Sequence, residues 1–493
     1  MILSVVPLVT IVLSLFAVPS FAGLNMNYAP YANEFIEPSY ILNKNWTNTT
    51  IVSQGSIIQW ANSLALLGPW SVTASKTILA PSNNSHDYLS WAPYYWPNCT
   101  GVGNTTALTP QQMWVTCPYV MVDGVFNPDI GTINNAPAFE TMASAVLFNT
   151  IAWVITGTPK YSTNVASWIN TWFLNSSTYM NPNLNYAQMA RGPGYNVRLG
   201  DHTGVLDLKC MTKIVSAVLV LRAGNAPGWT SAIDAGLVNW TTSYIGWLTT
   251  SPVALNESIA PNNHGSFYYT QLSSLQILVN DTAGASASIH KYFSTTYLNQ
   301  INATGEQPFE MIRTRPYHYR SYNLCAMITN ARIASHLGFS AWNLPTASGA
   351  IIKTALDFTM TVPPGNELAA ELYPNVGAGA AVYGDPSGTY AKFLSTVQPN
   401  YPANPWFFYD QPFSDSGWVA VHAGGLGAET PGAALASQTA APLSIATPTS
   451  THAPSTDGTG AVVNSAGARI LVGTNGQLFV GVAALVLLHA FIV

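Results

Sequence analysis

Apolar residues recur at helical spacing through most of the chain. From Phe139 onward, Met142, Ala143, Val146, Leu147, Ile151, Val154 and Ile155 lay a wide apolar stripe along one side of a predicted helix. Similar patterns run from Val165 to Phe173, Leu206 to Leu221, Ala232 to Trp247, Phe267 to Val279, Ser286 to Tyr297, Tyr317 to Leu337 and Ala347 to Phe358, separated by Gly, Pro and Asn. Alternating strand patterns are scarce. The pattern therefore predicts an all-α layered domain in which consecutive antiparallel helix pairs can curl into a ring. From Leu368 the text becomes rich in Gly, Ala and Tyr and predicts an irregular closing segment.

The two ends break this pattern. Residues 1–22 form an apolar run that closes on Ser20-Phe21-Ala22, which reads as a secretory signal peptide. Residues 23–425 are the globular, complex text. Residues 426–465 shift to Ala, Ser, Thr, Pro and Gly, a composition that buries too little apolar surface to offset its ordering entropy, and so predict a disordered stalk. In 466–493 a spacer and the apolar tail Leu478 to Val493 follow the small residues Asn464-Ser465-Ala466-Gly467, the pattern of a GPI-anchor signal; a weak tail anchor is the plainer alternative.

Charge is rationed: 16 Lys and Arg and 21 Asp and Glu among 493 residues, with a formal net charge of −5. No basic cluster tracks a phosphate backbone, so a nucleic-acid partner is excluded. Ten Asn-x-Ser/Thr sequons, at Asn45, Asn48, Asn83, Asn98, Asn104, Asn175, Asn239, Asn256, Asn280 and Asn302, fit a secreted glycoprotein whose surface polarity comes from glycan and neutral polar groups. Of the four cysteines, Cys99 and Cys117 bracket a short loop-like segment and are the expected disulfide, whereas Cys210 and Cys325 sit in helical patterns. No metal-ligand spacing or cofactor motif stands out, so the expected complement is no metal and no cofactor.

Against that sparse background, Glu306, Glu310, Arg313, Arg315 and Arg320 crowd into fifteen positions. Pro316 suits the first turn of a helix, which places Arg313 and Arg315 at its entrance and Tyr317, His318 and Tyr319 in its opening turn. Such a spot can present a cation and a phenol to one cavity; the plainer reading pairs the arginines with Glu306 and Glu310 to tie down a loop. Pro261-Asn262-Asn263-His264-Gly265 opens another predicted helix, where amides and an imidazole can meet a carboxylate or merely cap the helix. Asp87 to Asn98 carries Tyr88, Trp91, Tyr94, Tyr95 and Trp96, flat surfaces suited to sugar faces or to packing under a cover.

Taken in order, Asp87 to Asn98, Val122-Asp123-Gly124-Val125-Phe126-Asn127-Pro128, Asn262-Asn263-His264-Gly265, and Glu310-Met311-Ile312-Arg313-Thr314-Arg315 with His318-Tyr319 and Asn323-Leu324 resemble the alginate lyase superfamily of polysaccharide lyases. The resemblance spans roughly Tyr88 to Gly338 and suggests a secreted, GPI-anchored member of fungal type. It implies an incomplete α/α toroid with a substrate groove across one end. It also implies that Asn263 and His264 hold a uronate carboxylate, that Arg313 and Tyr319 form the catalytic pair, and that Tyr88, Tyr94, Trp96, Arg315 and Tyr322 line the substrate. Arg315 and Tyr322 stand in a relation similar to Arg313 and Tyr319 and are an alternative pair. Arg198 to Gly204 contains an Asp201-His202 pair to which no role attaches.

The implied reaction is β-elimination in a 1,4-linked polyuronate of alginate or glucuronan type. Removal of the weakly acidic C5 proton requires neutralisation of the neighbouring carboxylate, here by Asn263 and His264 with an Arg. A cation beside Tyr319 is expected to favour its phenolate, which then acts on the proton and on the leaving oxygen. The expected partner is an acidic polysaccharide, met outside the cell by a monomer whose membrane contact is only its lipid anchor. The rival is a catalytically inactive carbohydrate-binding wall glycoprotein of the same fold. A glycoside hydrolase is disfavoured because no carboxylate pair stands out near the aromatic loop.

Overall fold

The computed structural model describes residues 35–410 apart from 45, 47–49, 75 and 104–107. The expected signal peptide (1–22), stalk (426–465) and anchor signal (466–493) lie outside the described residues, as do the sequons at Asn45, Asn48 and Asn104.

Ten of the described helices form the body: α1 (Ile51–Ala65), α2 (Asn135–Thr156), α3 (Pro159–Ile169), α4 (Met211–Ala223), α5 (Ser231–Thr250), α6 (Asn263–Leu278), α7 (Thr282–Ser294), α8 (Pro316–His336), α9 (Ile352–Thr359) and α10 (Tyr373–Tyr383). The inner row is α2, α4, α6, α8 and α10, each touching the next. Outside it, α1 and α3 pack on α2, α5 and α7 on α6, and α9 on α8 and α10. This is the all-α toroid the helix succession implies.

Inner helices are covered on almost every side. In α6 every residue from Gly265 to Leu278 is buried, and in α8 every residue from Tyr317 to Ala334. Their polar side chains must therefore be satisfied by neighbours, since a buried polar group without a partner costs about 1–3 kcal/mol. Gln271 of α6 donates to the Val205 carbonyl at 3.0 Å and accepts from the Tyr244 hydroxyl at 2.6 Å. Ser266 donates to Asn323 of α8 at 2.7 Å, and Asn323 donates to Gln307 at 2.9 Å.

Three expectations need correction. The Leu206 to Leu221 run is broken: a 3-10 turn, His202–Leu208, precedes α4, and the break sets Lys209 at the mouth of the ring. α9 begins at Ile352 rather than near Ala347, because the Thr346 amide turns back to the Ala350 carbonyl at 2.8 Å. Among the described residues beyond Leu368, up to Asp410, the chain is largely helical, not irregular. α10 is buried from Tyr373 to Ala381, and its Pro374 and the run Gly377-Ala378-Gly379-Ala380-Ala381 give small residues without the contrast that marks a helix in sequence.

A short antiparallel hairpin, β1 (Tyr95–Pro97) with β2 (Tyr119–Met121), rises beside the ring and is bridged by the Cys99–Cys117 disulfide. Cys210 and Cys325 are buried. Of the sequon asparagines within the described residues, Asn83, Asn98, Asn175, Asn239, Asn256 and Asn280 are exposed, and Asn302 is half-buried.

Candidate active site

Four inner helices begin at one end of the ring, and their first turns surround a cavity of about 810 Å³. Glu140 comes from α2, Lys209 from just before α4, Asn263 and His264 from α6, and His318, Tyr319 and Tyr322 from α8. The hairpin side adds Tyr94, Tyr95, Met121, Asp123 and Phe126. Helix N-termini carry partial positive charge, so this end of the ring favours an anionic ligand. The rim is apolar and open, with Met121, Phe126 and Ile312 exposed, a surface that suits sugar faces.

One wall is a chain of cations and phenols. Arg313 donates from Nη2 to the Tyr319 hydroxyl at 2.9 Å, and its guanidinium carbon lies 3.8 Å from the centre of that ring. Tyr319 and Tyr94 share a hydrogen bond at 2.9 Å, and Arg315 donates to the Tyr94 hydroxyl at 3.0 Å. Asp123 fixes the far side of Arg313, accepting from Nη2 at 2.9 Å and from the Thr314 hydroxyl at 3.0 Å. Gly124 follows with φ +74°, and a side chain there would collide with Thr314, so glycine lets the hairpin segment close on the arginine loop. Burial pushes the Tyr319 phenol above its ordinary pKa, and Tyr94 adds to this, while Arg313 and Arg315 pull it down. Burial prevails. The cation stands beside the phenol as expected, but the net effect is a phenol that keeps its proton.

The other wall is built on carboxylates. Asn262 caps α6, its side chain accepting from the His264 amide at 3.3 Å. Gly265 follows because any side chain there would strike the Ala260 carbonyl. His264 reaches back from this turn, and its Nδ1 meets Glu257 Oε1 at 2.6 Å. The second oxygen of Glu257, Oε2, takes Nδ1 of His202 at 2.5 Å. Glu257 is fully buried, whereas both imidazoles line the cavity. Ligand-type atoms of His202, Glu257 and His264 lie within 4.8 Å of one another. Each Nδ1 is already at hydrogen-bond distance from the carboxylate, so the arrangement is one of shared protons. Asn263 differs from the expectation. It is buried, its backbone and side-chain NH groups both donate to Glu310, at 2.7 and 2.8 Å, and it braces the turn where a direct donor to a carboxylate was expected.

The arrangement brings Asn263, His264, Arg313, Tyr319, Tyr94, Arg315 and Tyr322 to one cavity. Tyr88 is corrected: it is buried beneath the floor, with its hydroxyl on Asp207 at 3.2 Å. Trp96 is also off the cavity lining. It follows Tyr95 in β1, where successive side chains point to opposite faces, and its indole NH donates to the Val125 carbonyl at 2.9 Å. Arg315 pairs with Tyr94, not with Tyr322; Tyr322 stacks on His318 at 5.5 Å and packs on Phe267 at 4.3 Å. The loop-tying alternative applies to Arg320, which bonds Glu306 twice at 2.7 Å, and not to Arg313 or Arg315. Glu257 carries no mark in the sequence, and Asp123 and Glu310 stand there only as members of the ordered motifs, without a role in the site. The available signal was scarcity: where charge is rationed, every carboxylate near a candidate His or Arg needs a partner.

Comparison with known proteins agrees with this architecture. The family model described as alginate lyase matches residues 71–366. An alginate lyase from Bacteroides ovatus has a similar structure, with TM-score 0.66 and 26% sequence identity over 79% of this chain and 99% of that one. Alginate lyase A1-III from Sphingomonas species A1 aligns at 15% identity and TM-score 0.36 over 73% of this chain and 93% of that one. A form of alginate lyase A1-III complexed with a tetrasaccharide aligns at 15% and 0.36 over 65% and 79%. No curated protein sequence matches. With more than half of its length matched by the family model and a toroid whose inner helix ends gather arginine, tyrosine and histidine around one cavity, the chain belongs to the alginate lyase family of polysaccharide lyases.

Proposed function

We propose that the protein cleaves a 1,4-linked polyuronate, of alginate or glucuronan type, by β-elimination. The observation that carries this reading is the Arg313–Tyr319–Tyr94–Arg315 chain facing His264 across one cavity. Tyr319 holds its proton and sits between two guanidinium groups, so it is suited to donate to the leaving O4 and to survive as a phenolate afterwards. His264 commits Nδ1 to Glu257, which leaves Nε2 for the substrate. In the step, the C5–H bond breaks and its proton passes to Nε2. The electron pair forms the C4–C5 double bond, the C4–O4 bond breaks, and O4 takes the Tyr319 proton. Solvent then returns the proton from the imidazolium to the phenolate. This revises the expectation that Tyr319 performs both transfers.

The reading places the enzyme outside the cell, as a monomer held by a lipid anchor. The exposed sequon asparagines and the Cys99–Cys117 disulfide support an oxidising, glycosylating route. Tyr319→Phe removes only the hydroxyl. On a panel of polyuronates it is expected to lower formation of the ultraviolet-absorbing 4,5-unsaturated product by about 10³-fold or more, with binding nearly intact. Near wild-type turnover in this variant, or no unsaturated product from the parent on any polyuronate, rejects the assignment, the second outcome leaving carbohydrate binding as the function.

A further inference from the structure

Asp201-His202 was a motif without a role, and the fold brings it to the active-site cavity from a part of the chain far from the arginine loop. His202 opens the 3-10 turn His202–Leu208, whose start is set by Asp201: its carboxylate accepts from the Thr203 amide at 3.0 Å. The ring turns towards the short helix Pro252–Ser258 and meets Glu257 at 2.5 Å, on the carboxylate oxygen that His264 does not use. The two ring centres are 6.2 Å apart. One buried carboxylate thus orients two imidazoles, with Nδ1 of each turned inward, Nε2 of His264 left for the cavity and Nε2 of His202 between the cavity and Asp201 Oδ1 at 3.6 Å.

A single carboxylate carries one negative charge for two rings, and the surroundings divide it unequally. His202 Nε2 has a second carboxylate, Asp201 Oδ1, at 3.6 Å. The hydrogen bond to Glu257 raises the His202 pKa, with Asp201 adding to it, in spite of partial burial. His202 is also the more open of the two rings, its side chain 33% exposed against 15% for His264.

Resting on the elimination proposed above, we infer that His202 is a substrate-binding and charge-neutralising residue of this site: as the imidazolium it holds the uronate carboxylate while His264 faces the C5 proton, and Glu257 is the positioning residue that orients both rings. The chemistry requires such a pair. The carboxyl group and the departing proton are substituents of one carbon, so the groups serving them must stand side by side, as two rings 6.2 Å apart do. Asn263, whose NH groups are bound to Glu310, does not supply this charge. As C5 loses its proton, negative charge spreads onto the carboxyl group, and a cation there stabilises the transition state more than the ground state.

The test compares a free oligouronate with its methyl ester, which has no carboxylate charge to neutralise. His202→Gln is expected to lower turnover of the free acid by roughly 10²-fold, the scale of losing one oxyanion donor, and to lower turnover of the ester clearly less, because the ester has no ground-state charge to hold although its carbonyl also gains charge as C5 loses its proton. Binding of an uncleaved oligouronate hexamer should weaken about 10-fold for the acid and not for the ester, a readout that needs no turnover. His202→Lys, which restores a cation, should recover part of the loss. Binding of acid and ester weakened equally, or unchanged for both, means that His202 does not hold the carboxylate and overturns the inference, as does activity abolished by a chelator and restored by zinc alone, which would make the His202–Glu257–His264 group a metal site. If the parent forms no unsaturated product, the lyase reading fails by itself, and the hexamer binding still decides whether His202 holds a carboxylate.

Discussion

Behind the turn that opens α6 lie two carboxylates of equal burial, Glu257 and Glu310, both fully covered. Burial works against the charged form of each. At Glu257 the charges and hydrogen bonds of His264 and His202 outweigh it, and the carboxyl is held below its ordinary pKa. At Glu310 burial dominates, the Asn263 side-chain and backbone NH groups and the weaker pull of His264 and Arg313, neither hydrogen-bonded to the carboxylate, offset only part of it, and the carboxyl is pushed up. Residue type and depth are the same. What differs is whether the hydrogen-bonded partner can carry a charge, so a buried acid in this ring cannot be assigned from depth alone. The half-buried Asp123 on the opposite wall behaves like Glu257: its hydrogen bond to Arg313 keeps it below the ordinary carboxylate range.

The contrast is broken most severely by disturbing the arginine wall. Asp123→Asn keeps the shape but removes the charge that fixes Arg313 against Tyr319. Turnover of polyuronate should fall roughly 10- to 100-fold with KM changed less, measured as ultraviolet-absorbing product, the scale expected for groups that orient a catalytic side chain. Because the Asp123 carboxyl is depressed in the fold, its contribution is complete above the ordinary aspartate range and is lost as pH falls through its folded value. The unfolding free energy of the parent should therefore fall more steeply than that of the variant as pH drops below the ordinary aspartate range, measured by thermal unfolding.

A smaller effect separates the two glutamates by thermal unfolding. Glu257→Gln removes a charge that the fold stabilises and should cost about 1–3 kcal/mol at neutral pH, with the penalty shrinking as pH falls through the glutamate's depressed value. Glu310 has the opposite sign. Its folded pKa lies above the unfolded one, so its contribution is complete below the unfolded value and lost as pH rises through the folded value. Glu310→Gln should therefore unfold with less dependence on pH on the alkaline side than the parent. Parallel pH curves for the two variants would mean that the partners do not matter.

The smallest change expected is at Tyr88. Tyr88→Phe loses a buried hydrogen bond to Asp207 and should cost about 1 kcal/mol of stability while leaving KM unchanged. A raised KM would return this ring to the substrate groove.

Periodicity of apolar residues determined the helices and, through them, the all-α ring, because a helix with one covered face announces itself in any sequence. That legibility failed for α10, whose run Gly377-Ala378-Gly379-Ala380-Ala381 offers small residues of poor contrast, two of them glycines of weak helix propensity. The candidates Arg313, Tyr319 and His264 were also legible, since charge and imidazole stand out in a chain that rations charge, and the order of the four motifs tied them to a family. Partnership was not legible. Glu257 is seven positions before His264 but 55 after His202, and Asp123 is 190 positions from the arginine it holds. Spacing along the chain says nothing about such distances. Which of several aromatic rings faces the cavity, whether Asn263 spends its NH groups on a sugar or on Glu310, and whether a phenol beside two cations keeps its proton depend on burial and on neighbours. Those are set when the inner helices converge at one end of the ring.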